Sequence, residues 1–315
     1  MKKSFALVPI LFVSSLSMTS CGVLAPFNGS QNIYDLTPVL NPVIDKDANT
    51  VEFGLYPQTR VLDEELIASL NTLQPSKTNG WYLYLNNYYA KIKGKIATYE
   101  VETRPSWYKQ FSNGEEMIDG QEYWFKCEPI IWDIITKNDN DYIIKTHYLL
   151  DAHRFDDDSN DYSQSEIRTW LNGEFFDTAF ALYNKSKVLI SEVDNSASQT
   201  DESSVSLACE NTFDKVYLKS FAEINPKANT SSSFPKADKN NEARMTDYAF
   251  AHGGYKITED MGGGFWLRSP SLRSFQNRSE KPDAWYVESK FCNVLTDDVD
   301  MTDLVVQPII KISSK

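Results

Sequence analysis

From residue 50 onward, the spacing of apolar and polar positions changes along the chain, and each change marks an element. TVEFGLYPQTRV, residues 50–61, alternates until Pro57, which predicts a strand feeding a turn. LDEELIASLNTL, residues 62–73, shifts to helical spacing. Leu62, Leu66, Ile67, Leu70 and Leu73 fall in phase, with acids in the first turn. Residues 80–100 and 121–155 are rich in aromatic and β-branched side chains, the composition of strands. Asn138 to Asp141 separate a pair of apolar runs and predict a hairpin. In SQSEIRTWLNGEFFDTAFALY, residues 163–183, Ser163 stands three before Glu166, a capping-box spacing. Ile167, Trp170, Leu171 and Phe175 share one helical face, and Gly173 is expected to end one short helix and open a second. Residues 193–212 and 225–244 are polar and read as loops, while DKVYLKSFAEI, 214–224, has no clear period. TDYAFAHGG predicts a short helix stopped by glycine. WYVESK and LVVQPIIKI close the chain as strands. Strands first, helices in the middle and strands last predict one α+β domain over residues 50–315. Its sheet is mixed or antiparallel, with short helices, long loops and two chain ends that pair.

The N-terminus follows a different logic. In MKKSFALVPILFVSSLSMTSCG two lysines precede an apolar run too short to span a bilayer, and small residues lead to Cys21. This looks like a bacterial lipoprotein signal over residues 1–21. Ser20 suits the position before the cysteine, and Met18 stands where leucine is usual. In such signals the cysteine receives a diacylglyceryl group and becomes the new N-terminus. Each buried methylene of an acyl chain contributes about 0.8 kcal/mol, and two chains hold a protein on a membrane. Residues 22–49 are rich in proline, asparagine and glycine and read as a tether reaching on the order of 30 Å. The expected location is a bacterial membrane or envelope, lipid-anchored and facing away from the cytoplasm.

Charge narrows the partners. Aspartate and glutamate number 44 against 31 lysines and arginines, a formal net charge of −13. Such a surface repels phosphate backbones, so nucleic acid is not an expected partner. After Cys21, the cysteines are Cys127, Cys209 and Cys292, with no CxxC pair. Zinc-finger spacing is excluded, and either one disulfide with a spare thiol or three reduced residues remain open. His147, His153 and His252 form no HExxH motif, and none is singled out as catalytic. DDDSND, residues 156–161, invites calcium, but counted as an EF-hand its glycine position holds Asp161 and its twelfth position Ile167. A solvated acidic turn is the simpler reading. Tyr82 and Tyr84 share one face of GWYLYLNNYY, as a sugar platform or as core. No GxSxG, P-loop or dinucleotide fingerprint occurs, and no metal or cofactor is expected.

FGLYPQ, EPIIWDII, SEIRTWLNGEFFDTAF, GGGFWLRSP and the closing VVQPIIKI stand in an order that resembles one bacterial family, domain of unknown function 6273. The resemblance covers roughly residues 50–313. YLKS, residues 217–220, occupies the family's Leu-Leu-Ser position, and Gln307 stands where the family carries arginine. The family plan is similar to C-type-lectin-like and formylglycine-generating-enzyme-like folds, in which loops sit above a small sheet whose terminal strands meet. Another α+β plan is the alternative. The enzyme in that comparison needs closely placed copper-binding cysteines, which this chain lacks. Within GGGFWLRSP two readings compete. Trp266 fills a core while Arg268 grips an acid or carbonyls, or Arg268 and Ser269 meet a ligand near Trp266 and Trp285. The expected function is a surface-anchored, non-enzymatic module that binds carbohydrate or protein through residues 193–264. An extracellular hydrolase using carboxylates and a structural envelope protein are the alternatives.

Overall fold

The aromatic-rich stretch after residue 121 becomes the spine of the molecule. The computed structural model describes residues 40–97, 105–227, 235–273 and 280–314. The first half of the chain gives β1 (Val43–Asp45), β2 (Thr50–Arg60), α1 (Glu64–Leu70), β3 (Tyr82–Tyr84), β4 (Asn87–Lys93), β5 (Glu122–Lys137), β6 (Asp141–Thr146) and β7 (Tyr148–Leu149). Two short helices follow, α2 (Glu166–Trp170) and α3 (Phe176–Ala179), then β8 (Val188–Leu189), β9 (Ser191–Val193), β10 (Thr212–Asp214) and β11 (Val216–Tyr217). The last third supplies β12 (Arg244–Met245), α4 (Asp247–Ala251), β13 (Gly264–Ser271), β14 (Asp283–Glu288), β15 (Asn293–Asp298) and β16 (Ile309–Ser313). The fold is α+β.

Nine strands form the main sheet, in the order β1-β2-β5-β6-β16-β11, with β4 on β5, β3 beyond β4, and β8 on β16. β5 alternates as a half-buried strand should. Phe125, Ile130 and Trp132 go to the core, and the Trp132 Nε1–H donates to the Phe53 carbonyl at 2.6 Å. The chain ends share this sheet but do not pair, because β5 and β6 lie between β2 and β16. Nor does Pro57 stop β2. The strand continues to Arg60, and register shifts at Glu52/Leu55 and Pro57/Thr59 absorb the residues that cannot join the ladder. The first shift contains Gly54, at φ +92°, where a Cβ would lie 3.1 Å from both Ile130 and Phe180. Residues assigned to the tether also join the sheet. β1 pairs with β2 through a turn in which Asp45 accepts the amides of Asp47 and Ala48, each at 2.9 Å. All described residues belong to one unit, Pro38–Lys315, while residues 1–39, Cys21 among them, lie outside the described residues.

The central helices correct two local expectations. The cap of α2 is Ser165, whose Oγ accepts from the Arg168 amide at 3.3 Å, and Ser163 sits in the preceding turn. The Glu166 carboxylate that a capping box would need is held instead by Arg154, at 2.6 and 2.9 Å. Gly173 does not break the run. Leu171–Phe175 forms a π-helical turn joining α2 to α3. That turn carries Asn172, whose Oδ1 accepts the Lys215 and Val216 amides and whose Nδ2 donates to the Val216 carbonyl at 2.9 Å. A helix side chain thereby completes the backbone pairing of β11. The second sheet, β13-β14-β15, is antiparallel, and every residue of β13 is buried.

Candidate functional site

GGGFWLRSP is interior, and its polar groups are taken up by the protein. Arg268 is 3% exposed. Its guanidinium donates to the Leu218 carbonyl at 2.7 Å, the Asp194 carbonyl at 3.0 Å, Asn195 Oδ1 at 3.1 Å and the Glu223 carboxylate. The Ser269 hydroxyl donates to the Gln199 carbonyl at 2.7 Å and accepts the Phe221 amide at 2.9 Å. Trp266 donates to the His153 carbonyl at 2.9 Å and packs edge-on to Phe155, ring centroids 5.7 Å apart. Trp285 is fully buried, 4.6 Å from the Phe221 ring. Only about 10 Å³ of space adjoins Arg268 and Ser269. The four residues thus lie buried on β13 and β14, as the first of the two readings of this segment describes, and none lines the larger cleft.

That cleft, of about 670 Å³, opens where β7 and β12 run parallel beside the main sheet. The pairing sets Arg244 opposite Tyr148, and both side chains reach the cleft. Pro129 and Ile131 from β5, with Met245 and Met261, give the apolar lining. Gln58 and Thr59 come from the end of β2, and Ser112 and Thr246 add further hydrogen-bonding groups. Acids dominate the charge. Thr59 donates to Glu128 at 2.6 Å, and Ser112 gives both its amide and its hydroxyl to Asp247, at 2.9 and 3.0 Å. Asp260 receives the Thr258 hydroxyl at 2.5 Å, Lys290 at 2.9 Å and Arg244 at 3.3 Å. The Thr258 hydrogen bond first, and then Lys290, hold the Asp260 carboxyl below its usual range. Glu259 completes the set. A second lobe of about 290 Å³ shares Tyr148, Arg244 and Asp260 with the first, and adds His147, Glu242 and Lys290. The expected binding segment, residues 193–264, thus contributes from Glu242 onward.

A second cluster joins three motifs that the sequence alone did not connect. Tyr56, from FGLYPQ, donates its hydroxyl to Asp151 Oδ2 at 2.5 Å. His252 Nδ1 donates to Asp151 Oδ1 at 2.5 Å, and the Ala152 amide shares that oxygen at 2.8 Å. Asp151 is buried and the imidazole is half exposed. The Asp151 charge, opposed by desolvation, raises the His252 pKa, whereas burial first, then the same carboxylate, drives Tyr56 far above the ordinary phenol range. Of the other two histidines, His147 bonds Asp133 at 2.8 Å, and His153 bonds the Arg154 carbonyl and stacks on Trp170.

The remaining candidates are structural. Asp156 accepts the amides of Asp158, Ser159 and Glu166 at 3.0–3.1 Å, which makes DDDSND a capped turn. Among the described residues, no group of three His, Cys, Asp or Glu is placed to hold a metal ion. Tyr82 packs against Trp124 with centroids 4.6 Å apart, so that aromatic face belongs to a small core with Leu70 and Val61. Cys127, Cys209 and Cys292 are free thiols. Gln307 is buried and donates to the Thr146 carbonyl at 3.1 Å. Lys219 of YLKS is buried with Nζ 2.5 Å from Asn241 Oδ1; desolvation first, then Lys145, lowers its pKa to about 8.

The model of the family described as Domain of unknown function (DUF6273) matches residues 139–310, more than half of the chain, and the chain belongs to that family. FGLYPQ and EPIIWDII lie N-terminal to the matched span, which begins in the β5–β6 turn. The cleft draws on both sides of that boundary: Gln58, Thr59, Ser112 and β5 from before it, Tyr148 and residues 244–261 from within. No curated protein and no solved structure matches the chain.

Proposed function

We propose that this chain is a surface-anchored bacterial lipoprotein whose α+β domain binds an extracellular carbohydrate in the cleft beside Tyr148, without transforming it. One observation carries the reading. A cleft of about 670 Å³ combines a partly exposed tyrosine and apolar lining with converging hydroxyl, amide and carboxylate groups. Ligand sites commonly have volumes of about 300–1,000 Å³ and this mixture of apolar walls with a few polar groups. Tyrosine presents a flat apolar face that suits the faces of sugar rings, and the acids and hydroxyls suit ring hydroxyls. The signal-like N-terminus, with lipidation at Cys21, supports anchoring outside the cytoplasm, and a lectin-like plan agrees with loops serving as the binding face. Among the described residues no helix is long and apolar enough to cross a membrane.

Two measurements test the proposal. The full chain carrying Cys21→Ala, screened on a glycan array beside a panel of extracellular proteins, is expected to retain glycans. Tyr148→Ala should weaken that binding by about tenfold. Silence across the glycans, or retention of proteins alone, rejects the carbohydrate reading; hydrolysis of a bound glycan replaces it with the hydrolase. In the native host, Cys21→Ala should move the protein from the membrane fraction to a soluble one. Continued membrane association would reject the anchor.

A further inference from the structure

We propose that the cleft's ligand is cationic, an oligosaccharide bearing unsubstituted amino groups; this rests on the carbohydrate reading above. The larger lobe sets the carboxylates of Glu128, Asp247, Glu259 and Asp260 against one guanidinium, Arg244. These acids are not equivalent. Asp260 is matched by Arg244 and Lys290. Glu128 and Asp247 take only neutral donors, from Thr59 and Ser112, which order the carboxylates without cancelling their charge. Glu259 is exposed and has no hydrogen bond or ion pair among the described residues. Among the described residues Glu128 therefore faces the concave space with no ion-pair partner, and Asp247 and Glu259 share only the field of Lys256. The Lys256 ammonium is held by the Trp107 and Gln110 carbonyls at 3.0 and 2.8 Å, so the acids outnumber the cations. An anionic ligand would be repelled there, and an ammonium group would be attracted. The net charge of −13 adds a long-range pull in the same direction.

The walls favour a sugar over a peptide. Tyr148 is 37% exposed and lines the cleft with Pro129 and Ile131, a surface for ring faces and for a cation over the phenol. A peptide bound by strand addition needs an open strand edge. Here the backbone around the cleft is already paired: the Met245 amide donates to the Met261 carbonyl at 2.7 Å, and the Thr246 amide to the Leu149 carbonyl at 3.1 Å. Recognition must come from side chains. In the second lobe Glu242 and Asp260 are balanced by Arg244 and Lys290, so that lobe suits an uncharged sugar unit. Because the lobes share Tyr148, Arg244 and Asp260, one ligand of more than a single sugar spans both, with an amine in the larger lobe.

The test is calorimetric titration of the full chain carrying Cys21→Ala with a glucosamine tetramer and with its N-acetylated counterpart, at mildly acidic pH where the free amines are charged. The amine-bearing tetramer should bind at least about tenfold tighter, and added salt should weaken it selectively. Glu259→Gln should weaken the glucosamine tetramer by about fivefold and leave the N-acetylated one unchanged. Glu259 is exposed and, among the described residues, makes no hydrogen bond or ion pair, so a thermal midpoint measured beside the titration separates charge from stability in this variant. Equal or tighter binding of the N-acetylated tetramer overturns the cationic ligand while leaving the carbohydrate reading intact. A lysine-rich peptide that binds tighter than the glucosamine tetramer overturns the ligand class. Failure of both tetramers overturns this inference, and only silence of the whole glycan array removes the reading beneath it.

Discussion

Arg268 and Arg244 stand in neighbouring stretches of one chain and illustrate opposite uses of the same side chain. Arg268 lies on a fully buried strand, and acceptors from Asp194, Asn195, Leu218 and Glu223 enclose its guanidinium. It ties the loops after β9 and β11 to the second sheet. Arg244 has a side chain 63% exposed, touches Asp260 at 3.3 Å and faces a cleft. The segment richest in motif, WLRSP, is the scaffold. The segment poorest in motif, residues 242–261, carries the candidate binding chemistry. A buried guanidinium needs several fixed acceptors, and that demand leaves a strong local pattern. An exposed one needs only a position.

The largest expected effect follows from removing the buried member. Arg268→Ala strands the buried Leu218 carbonyl and the buried Asn195 side-chain oxygen, while the half-exposed Glu223 keeps the Ser220 amide, and should destabilise the domain by about 2–4 kcal/mol, read from the urea unfolding midpoint. A loss below about 1 kcal/mol would show that the loops do not depend on it. Gly54→Ala comes next. The residue would keep φ near +92° and meet Ile130, Phe180 and the Ala179 carbonyl, so a loss of about 1–3 kcal/mol is expected from the same measurement. Arg244→Ala sharpens the contrast from the other side. Stability should change by no more than about 0.5 kcal/mol, because the Asp260 pair is exposed and Lys290 still holds that carboxylate. Its effect should appear in ligand titration instead.

The smallest effect is a pH dependence at the Tyr56–Asp151–His252 cluster. The His252 pKa lies above its ordinary 6.5, chiefly through Asp151. A raised folded value means that the stabilisation is complete below the unfolded value and is lost as pH rises through the folded one. His252→Gln should therefore lower the thermal midpoint most at about pH 5, and the difference from the parent should shrink by about pH 9. A difference that grows with pH would reverse the assignment.

Much of the fold was legible because it rests on short-range rules. Alternation in residues 50–61 and 121–146 and the turn at Asn138–Asp141 each mapped onto strands and a hairpin, since side-chain direction in a strand is set locally. The α2 cap was displaced because a distant arginine, Arg154, claims the carboxylate that would have completed the capping box. Pro57 did not end its strand because β5 pairs with it on both sides of the bulge, at Tyr56 before and at Thr59 and Arg60 after.

The site was less legible. Tyr148, Arg244 and Asp260 carry no recognisable spacing, and Gln58 and Glu128 are far from them in sequence. Composition, charge sign, the signal-like N-terminus, the family and the α+β class are properties of the chain itself, because each depends on residue type or on neighbours a few positions apart. Which arginine is enclosed and which faces solvent, which carboxylates keep an unmatched charge, and how His252 meets Asp151 depend on strand order and loop closure. Burial and Coulomb energy act through space, and the distances that govern them exist only once the sheets are assembled.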